Sequence, residues 1–553
     1  MTPNKIRRAI SSVLPLAAAA FLSLFASSCI TTSLELGSEY LASDQQFDIF
    51  TATFPLEDIR MAPADSLSGY SQTRITVGAI RDKDFGLVKR SAAVTLVPIY
   101  DTLDFGVSPE VNYFSMVIVK DTISTPDDAN AYIHQPIKIY ELTEPLESQF
   151  DINSEIKHGD ELITQGIPVF NGTDEKLLVY FTKEFGEKYL QITLDDTRDI
   201  TSYTKRFPGI YLETDEPRGE GGRINMFKVQ LQYESSTRII NGNYALLNIT
   251  STYDGARKDT SFMFYFCPDQ MYDVDSLVYN ATGNLPQYCF NVAKHESADK
   301  GGPAGDKILV EGGGGLKPVL SATEIRNKVI AEISKHGDPS QAAINRASLD
   351  LPFIFPENYL DMDKYPEVLS PTCRIRTDDG TISFASITDS SDSSEDQGDV
   401  NRSLLKYAPD ITYHTQALLR LNDLSKISNY DVWLLIMHNE IQTTTTSEKE
   451  QDEMTDYYNM MMYSSYYNGM YGGYGGYGYG GYGYGGYGYG NSYYNNYYSY
   501  YLMQQMYGSS SSTSSTVKTL DIYRYYNAIL RGPADPVAHP TMTITYALPK
   551  TAQ

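Results

Sequence analysis

Basic residues and cysteines are scarce in this chain of 553 residues, and each shortage excludes a class of protein. Lysine and arginine number 44 against 69 aspartates and glutamates, so the formal net charge is −25. Because binding to a phosphate backbone needs clustered cations, this balance predicts that nucleic acid is not a partner. The 4 cysteines contain no C-x-x-C pair, which excludes a zinc ribbon and a thioredoxin-type motif. We therefore expect neither a metal site nor a cofactor.

Signatures of catalysis are also missing. The chain has no H-E-x-x-H, no G-x-S-x-G, no P-loop and no dinucleotide-binding fingerprint. The glycines at 312–315 follow a predicted strand, but no Lys-Ser/Thr pair follows them to hold a phosphate and a metal. Adjacent carboxylates such as Asp195 and Asp196 are common in so acidic a chain, and we expect His295 and His414 to be structural. The sequence therefore favours a protein that is not an enzyme. An envelope glycan hydrolase with two facing carboxylates is an alternative.

The first residues have the pattern of an export signal. A basic start is followed by an apolar run at 10–25, and small residues then lead into Cys29. This ending resembles a bacterial lipobox, in which the cysteine is lipidated. The alternative is an ordinary signal peptide with an incidental cysteine. We predict a lipoprotein signal peptide at 1–28 and a membrane anchor of acyl chains on Cys29, since no later segment is apolar for long enough to span a bilayer.

Short stretches rich in β-branched and aromatic residues recur along the chain, and turn residues separate them. Several alternate apolar and polar side chains, as half-buried strands do. The clearest predicted strands are 74–79, 92–99, 113–119, 137–142, 176–181, 226–233 and 244–250. This spacing is typical of antiparallel sandwiches and barrels. We predict a mostly β fold with sandwich-like domains at 29–222 and 223–553 and one or a few short helices.

One helix is clear from the sequence. Ser321 and Glu324 have the spacing of a capping box, in which each side chain bonds the backbone N–H of the other residue. Ile325, Val329 and Ile333 then recur on one face. We therefore predict a helix that begins after Ser321 and packs between strands.

Tyrosine and glycine fill the middle of an insertion at 457–517, which contains no charged residue. Predicted strands flank it at 431–437 and 522–530, and we expect these strands to be neighbours in one sheet. Glycine adds backbone entropy, so we predict a long disordered loop. Tyrosine rings stack on sugars and on other rings, which makes the loop a candidate binding segment. A tolerated repeat expansion is the alternative. The candidate binding residues are Tyr474, Tyr477, Tyr479, Tyr482, Tyr484, Tyr487 and Tyr489.

Three cysteines follow Cys29, so at least one thiol is unpaired. Cys267 and Cys289 are candidates for a disulfide in an oxidising compartment. The alternative is that these two and Cys373 are all buried thiols that pack as small apolar side chains.

Eight stretches spread along the chain carry a resemblance to a known family. They are VGAIRDKDFG at 77–86, RFPGIYLET at 206–214, NVAKHES at 291–297, ILVEGGGGLK at 308–317, INRASLDL at 344–351, YAPDITYHTQALL at 407–419, NAILRG at 527–532 and HPTMTITY at 539–546. In this order they resemble a Bacteroidota lipoprotein family of unknown function (DUF family four-two-seven-zero). Pro208 and Glu311 depart from the Lys and Gln that are usual there. The resemblance implies an exported, lipid-anchored, mostly β protein, and it implies no activity.

Asp-Ser/Thr-hydrophobic triplets in the chain resemble the O-glycosylation sites of secreted Bacteroidota proteins. They make Ser66, Thr102, Thr122 and Ser276 candidate glycosylation sites.

Taken with the lipobox, these patterns predict a non-enzymatic lipoprotein of the outer membrane, held by its acyl chains on either face of that membrane. We expect it to bind a protein or glycan partner in the cell envelope. A structural subunit of an outer-membrane protein assembly is the alternative.

Overall fold

The computed structural model describes residues 46–71, 73–99, 102–121, 132–147, 151–229, 233–234, 239–240, 242–266, 289–376, 380, 382–391, 397–445 and 512–550. The protein is mostly β, at 51% strand and 16% helix. Every strand pair in these parts of the chain is antiparallel. The mostly β, sandwich-like fold predicted from the sequence is confirmed. No helix among the described residues is long and apolar enough to cross a membrane.

The described residues form thirty strands and five α-helices. The strands are β1 (Phe47–Pro55), β2 (Ile59–Pro63), β3 (Tyr70–Ser71), β4 (Arg74–Asp82), β5 (Gly86–Val94), β6 (Leu96–Pro98), β7 (Val107–Val119), β8 (His134–Leu142), β9 (His158–Leu162), β10 (Val169–Asn171), β11 (Lys176–Tyr180), β12 (Ile210–Thr214), β13 (Gly221–Lys228), β14 (Tyr233–Glu234), β15 (Ile239–Ile240), β16 (Tyr244–Tyr253), β17 (Ala256–Phe266), β18 (Cys289–His295), β19 (Gly302–Pro303), β20 (Lys307–Glu311), β21 (Leu316–Leu320), β22 (Ala343–Pro352), β23 (Val368–Arg376), β24 (Ile382–Ser386), β25 (Val400–Asn401), β26 (Lys406–Tyr407), β27 (Val432–Thr445), β28 (Ser512–Leu520), β29 (Asn527–Arg531) and β30 (Thr541–Pro549).

The helices are short. The α-helices are α1 (Lys183–Tyr189), α2 (Leu194–Thr197), α3 (Ile200–Arg206), α4 (Ala322–Ile333) and α5 (Thr412–Arg420). Short 3₁₀-helices lie at Glu296–Lys300, Pro339–Gln341, Tyr359–Lys364, Thr388–Ser391 and Ile427–Tyr430.

Two sheets share one core in the part of the chain that we call lobe 1, residues 70–295. The larger sheet follows the order β10-β8-β12-β5-β18-β3, with β4, β13 and β9 attached to it. The smaller sheet follows the order β11-β7-β16-β17-β6. Alternation builds the core: along β16, Ala245, Leu247 and Ile249 are buried while their neighbours are partly exposed. Helices α1 to α3 add aromatic side chains to the same core, including Phe185, Tyr189 and Tyr203.

Lobe 2 contains residues 47–63 and 302–550. One sheet follows the order β19-β2-β21-β27-β23-β24 and carries β28 on β27, and a second follows the order β1-β30-β22-β26-β25. The short pair β20-β29 forms a separate two-stranded sheet whose apolar side chains pack in the core of this lobe. Helix α4 contributes Ile325, Val329 and Ile333 to the core of this lobe, and α5 contributes Leu418.

The two lobes are not consecutive along the chain. β1 pairs with β30 and β2 pairs with β21, so residues 47–63 belong to lobe 2 although lobe 1 follows them. The domain boundary predicted at 222 falls inside β13, which pairs with β4 along its whole length. An apolar cluster joins the lobes, with Ile152 and Ala293 of lobe 1 and Trp433 and Ile522 of lobe 2.

Helix α4 confirms the helix predicted after Ser321, but its capping differs from the prediction. The Ser321 side chain accepts from the Glu324 N–H at 3.3 Å, as expected of an N-cap. The Glu324 carboxylate instead accepts from the backbone N–H groups of Glu57 at 2.8 Å and Asp58 at 2.9 Å. The predicted hydrogen bond from the Ser321 N–H to the Glu324 carboxylate is therefore wrong. Glu324 instead binds the turn between β1 and β2.

Candidate functional site

Charged side chains meet in the interior where the two lobes join. Arg90 comes from β5, His295 from the end of β18 and Glu311 from the end of β20, and all three side chains are almost completely buried. His295 Nδ1 lies 3.0 Å from Glu311 Oε2, and the Ser297 hydroxyl donates to the same oxygen. Arg90 Nη1 donates to the carbonyl of Ile522 at 3.2 Å, across the boundary between the lobes. We call this set the junction cluster.

Lys317 closes the glycine loop that follows Glu311. Its ammonium donates to the carbonyl oxygens of Gly313 at 2.9 Å, Gly315 at 3.0 Å and Glu311. The side chain is 1% exposed, so the loop is wrapped around a buried cation. The sequence predicts a turn here, since no Lys-Ser/Thr pair follows the glycines to hold a phosphate. In the structure, the loop's carbonyl groups point at its own lysine.

The backbone of this loop lies so close to buried side chains that glycine is required in it. Gly313 has a φ of +58°, in the left-handed region that side chains with a Cβ rarely adopt. A Cβ on Gly313 would overlap the Arg90 guanidinium, and a Cβ on Gly315 would overlap the Glu311 carboxylate. The run of glycines therefore lets the loop lie directly against the buried charges.

Burial dominates the ionisation of the junction cluster. It lowers the pKa of Lys317 to about 7 and the pKa of Arg90 to about 10, although Glu311 acts on both in the opposite direction. Burial also lowers the pKa of His295. The pKa of Glu311 is lowered despite its own burial, because His295 and the hydrogen bond from Ser297 favour the carboxylate. At neutral pH Arg90 is therefore charged, and Lys317 is near the midpoint of its titration.

The junction cluster is placed to hold the lobes together. Glu311 is 0% exposed and Arg90 is 0% exposed, so a dissolved substrate cannot reach either side chain. Several polar atoms of the cluster have no hydrogen-bond partner in the described part of the chain: Arg90 Nε and Nη2, His295 Nε2 and Glu311 Oε1. Such a network is costly to disturb, because any partner that is removed leaves a buried charge uncompensated.

His414 is a second buried histidine, on α5. Its Nε2 lies 2.9 Å from the carbonyl oxygen of Tyr430, and burial lowers its pKa to about 4. Asp389 accepts from the N–H groups of Tyr413 at 2.7 Å and His414 at 3.0 Å, and so caps a helix whose own N-cap, Ile411, has no suitable side chain. Burial raises the pKa of Asp389 to about 6. This histidine belongs to the packing of α5.

The adjacent carboxylates at the start of α2, Asp195 and Asp196, lie in different environments. Asp196 completes a capping box with Thr193 and forms an ion pair with Arg206. The Asp195 side chain is 97% exposed. The two groups therefore do not face each other across a cleft.

The tyrosine- and glycine-rich insertion joins two paired strands. β27 and β28 pair from Met437 and Leu520 to Thr445 and Ser512. The prediction that the strands at 431–437 and 522–530 are neighbours is wrong, because β28 takes that place and the strand within 522–530, β29, pairs with β20 in another sheet. Residues 512–517, predicted as the end of the insertion, are part of β28. The seven candidate binding tyrosines lie outside the described residues.

Beyond Met437 the β27–β28 pair leaves its sheet. The pairing of β27 with β23 ends at Met437 and Val368, and from His438 onward its strand partner in the described structure is β28. Eight pairs, from His438 with Thr519 to Thr445 with Ser512, form a two-stranded ribbon. At about 3.4 Å a residue the ribbon is roughly 25 Å long. It brings the two ends of the segment 446–511 together.

The remaining predicted sites have different positions. Cys29, Thr122, Ser276 and Cys267 lie outside the described residues. Cys289 is buried, its Sγ lies 3.2 and 3.1 Å from the carbonyl oxygens of Ser71 and Arg74, and burial raises the pKa of its thiol. The pairing of Cys267 with Cys289 stays a prediction.

The other cysteine and the described glycosylation candidates are as follows. Cys373 is also buried. The Ser66 hydroxyl is half-buried and accepts from Arg374 Nη2 at 2.6 Å. Thr102 is exposed. Among the described residues, no group of three or more His, Cys, Asp or Glu is placed to hold a metal ion.

The chain matches no protein-family model, no curated protein and no solved structure. The resemblance to the Bacteroidota lipoprotein family stays a prediction from the sequence.

Proposed function

We propose that this protein is a non-enzymatic lipoprotein of the outer membrane that binds a protein or glycan partner in the cell envelope through its tyrosine- and glycine-rich segment. The observation that carries the proposal is the β27–β28 ribbon, which holds Thr445 and Ser512, the residues on either side of 446–511, in register.

The part of β27 that precedes the ribbon is packed in the core of lobe 2. Val432, Leu434 and Ile436 of β27 are buried in the core of lobe 2, and β27 pairs there with both β21 and β23. A ribbon that is fixed at its base keeps the loop tied to the scaffold while a partner is bound. The scaffold can therefore fold without any contribution from the loop, since long insertions between paired strands cost little.

The sequence of the segment supplies the binding chemistry. Tyrosine combines a flat ring, which stacks on sugars and on other aromatic rings, with a hydroxyl that forms hydrogen bonds. The absence of charge from 457 to 517 removes electrostatic repulsion between the segment and an anionic cell surface.

A substitution series tests the role of the tyrosines. Serine in place of Tyr474, Tyr477, Tyr479, Tyr482, Tyr484, Tyr487 and Tyr489 removes the rings and keeps the length of the segment. We expect the serine variant to lose retention on envelope fractions and insoluble glycans. A matched phenylalanine variant keeps the rings and should retain most of the binding. Equal binding by the wild-type and serine variants would refute the proposal.

The lipid anchor has its own test. We expect cells that express the protein to incorporate a palmitate analogue into it, and Cys29→Ala to abolish the labelling and to release the protein from membranes. Labelling that survives in the Cys29→Ala variant would contradict anchoring at this residue.

A role as a subunit of an outer-membrane assembly is favoured by one observation, an apolar patch on the outer side of the β11-β7-β16-β17-β6 sheet. Tyr113, Leu178 and Tyr180 are 38%, 46% and 48% exposed. The register places Leu178 beside Val117, so the patch continues from β11 to β7. Exposed apolar patches of this kind often mark contacts between proteins.

Purification in mild detergent distinguishes this role from the first. If the protein is a subunit, a stoichiometric partner should co-purify with it, and Leu178→Lys should release that partner. Purification as a lone chain would count against the assembly role and leave the binding role untouched.

A further inference from the structure

A polar groove lies on the outer face of the β1-β30-β22-β26-β25 sheet, far along the chain from the segment 446–511. The outward side chains of β22 are Arg346, Ser348 and Asp350. β30 places Thr545 beside Arg346 and Thr543 beside Ser348. On its other side β22 pairs with β26, and Lys406 of β26 is in register with Pro352.

The groove follows from the sizes of these side chains. Its middle is lined by the small residues Ser348 and Ala408, whereas the long side chains of Arg346 and Lys406 stand toward its ends. The resulting volume is about 320 Å³. This is at the lower end of the range for small-molecule sites, and it suits a ligand of one or two sugar rings.

Arg346 lies at one end of the groove and is only loosely paired with a carboxylate of the protein. The Arg346 side chain is 65% exposed, and its Nε lies 4.0 Å from Asp410 Oδ2, which is too far for a hydrogen bond. Asp410 is 3% exposed, and this oxygen has no hydrogen-bond partner in the described structure. The buried carboxylate therefore attracts the guanidinium without a hydrogen bond to its Nε, and the exposed Arg346 side chain lines the groove.

The other end of the groove is neutralised. Lys406 and Asp350 form an ion pair there. Between the two ends run hydroxyl groups, from Ser348, Thr543 and Thr545. The hydroxyls of Thr543 and Thr545 lie 2.9 and 3.1 Å from those of Thr53 and Thr51 on β1, which orients them in a row along the sheet.

We propose that this groove is a binding site for an acidic sugar, in which Arg346 binds the carboxylate and the row of hydroxyls bonds to the hydroxyl groups of the ring. A guanidinium presents a planar pair of donors that matches a carboxylate. Hydroxyl side chains both donate and accept, as sugar hydroxyls do. A neutral sugar would lack the charged contact, and a simple anion would leave the hydroxyl row unused. The proposal does not rest on the tyrosine- and glycine-rich segment.

Binding measured by calorimetry tests the proposal with three probes: digalacturonic acid, its neutral counterpart digalactose, and inorganic phosphate. We expect digalacturonic acid to bind at least roughly tenfold more tightly than either of the others. Arg346→Ala should weaken its binding by roughly tenfold or more, and Arg346→Lys should restore only part of it, because lysine cannot form the paired contact.

Two controls keep the result interpretable. Arg402→Ala removes a cation with a half-exposed side chain that does not line the groove, and it should leave binding unchanged. A chain in which a short turn replaces 446–511 should bind digalacturonic acid as the wild type does, so this test and that of the proposed function can fail independently.

Three results would overturn the proposal. One is no binding of digalacturonic acid at millimolar concentration. The second is equal binding of phosphate and the acidic sugar, which would mark a site for simple anions. The third is equal loss of binding in the Arg346→Ala and Arg402→Ala variants, which would mark a general effect of charge.

Discussion

Replacing Lys317 by methionine tests the buried charges at the junction of the lobes. Methionine fills similar space but removes the donor to the carbonyls of Glu311, Gly313 and Gly315, of which Gly315 keeps the N–H of Ala64 at 3.2 Å. Unpaired buried carbonyls cost about 1–3 kcal/mol each, while removing a buried ammonium returns part of that cost. We therefore expect Lys317→Met to lower the free energy of unfolding by about 3 kcal/mol at pH 7.

The pH dependence of the free energy of unfolding tests the charge of Lys317 separately from the space that its side chain fills. Its pKa is about 7 in the folded protein, below the ordinary lysine value of 10.5. Above pH 7 the unfolded chain therefore binds more protons than the folded chain, and stability rises with pH. Between pH 7 and 8.5 this should add roughly 1.5 kcal/mol to the wild type. The methionine variant lacks the titrating group and should lack the gain.

Urea unfolding at pH 7 and 8.5 measures both effects. The chain has one tryptophan, Trp433, and it is buried where the lobes meet, so its fluorescence reports the transition. Lys335→Met is the matched control, because Lys335 is exposed on the surface beside Glu332. If wild type and Lys317→Met change in parallel between the two pH values, the ionisation of Lys317 is not what couples stability to pH.

Three further substitutions should lower the melting temperature by different amounts. Gly313→Ala forces a Cβ against Arg90 at a φ of +58°, and we expect a loss of about 2–4 kcal/mol. Ser321→Ala removes the N-cap bond to Glu324 and should cost about 1 kcal/mol. Phe114→Ala opens a cavity among the aromatic rings of lobe 1 and should cost about 3–5 kcal/mol.

Calorimetric melting with matched variants checks these values. Gly305→Ala places a Cβ in open space and should change stability by less than about 0.5 kcal/mol. If the Gly313→Ala variant has the same melting temperature as the Gly305→Ala variant, the close packing of the glycine loop on Arg90 would be contradicted. Should Phe114→Ala cost no more than Ser321→Ala, the core of lobe 1 would not be as tightly packed as its ring contacts indicate.

Elements with a strong local pattern were predictable from the sequence. The N-cap serine and the spacing of Ile325, Val329 and Ile333 predict α4, and apolar alternation predicts strands such as β16. The strand that pairs with β27 after the insertion was not predicted, because Ser512–Leu520 consists mostly of serine and threonine and lacks the apolar run of 522–530.

Elements that depend on tertiary contacts were not predictable. Helix α1 is seven residues long and contains Gly186, so its propensity is weak, and it forms because Phe185 and Tyr189 pack on Phe114. The predicted strand at 522–530 is wrong over its first half. There Asp521 binds the N–H groups of the next turn, and β29 begins only at Asn527.

The junction cluster lacked a local signal for a different reason. Arg90 and His295 belong to lobe 1 and are distant in sequence from each other, and only the packing of the two lobes brings them to Glu311. The run of glycines before Lys317 was the one visible hint, since small residues are needed where a backbone lies against buried side chains.

Replacement of 446–511 by an Asn-Gly turn is the most direct test of the proposed function. Thr445 and Ser512 are already paired, so the turn should close the ribbon without disturbing the sheet. We expect the shortened chain to melt within a few degrees of the wild type and to lose its retention on envelope fractions and glycans. Retention equal to that of the wild type, with the fold intact, would show that the segment is not the binding element.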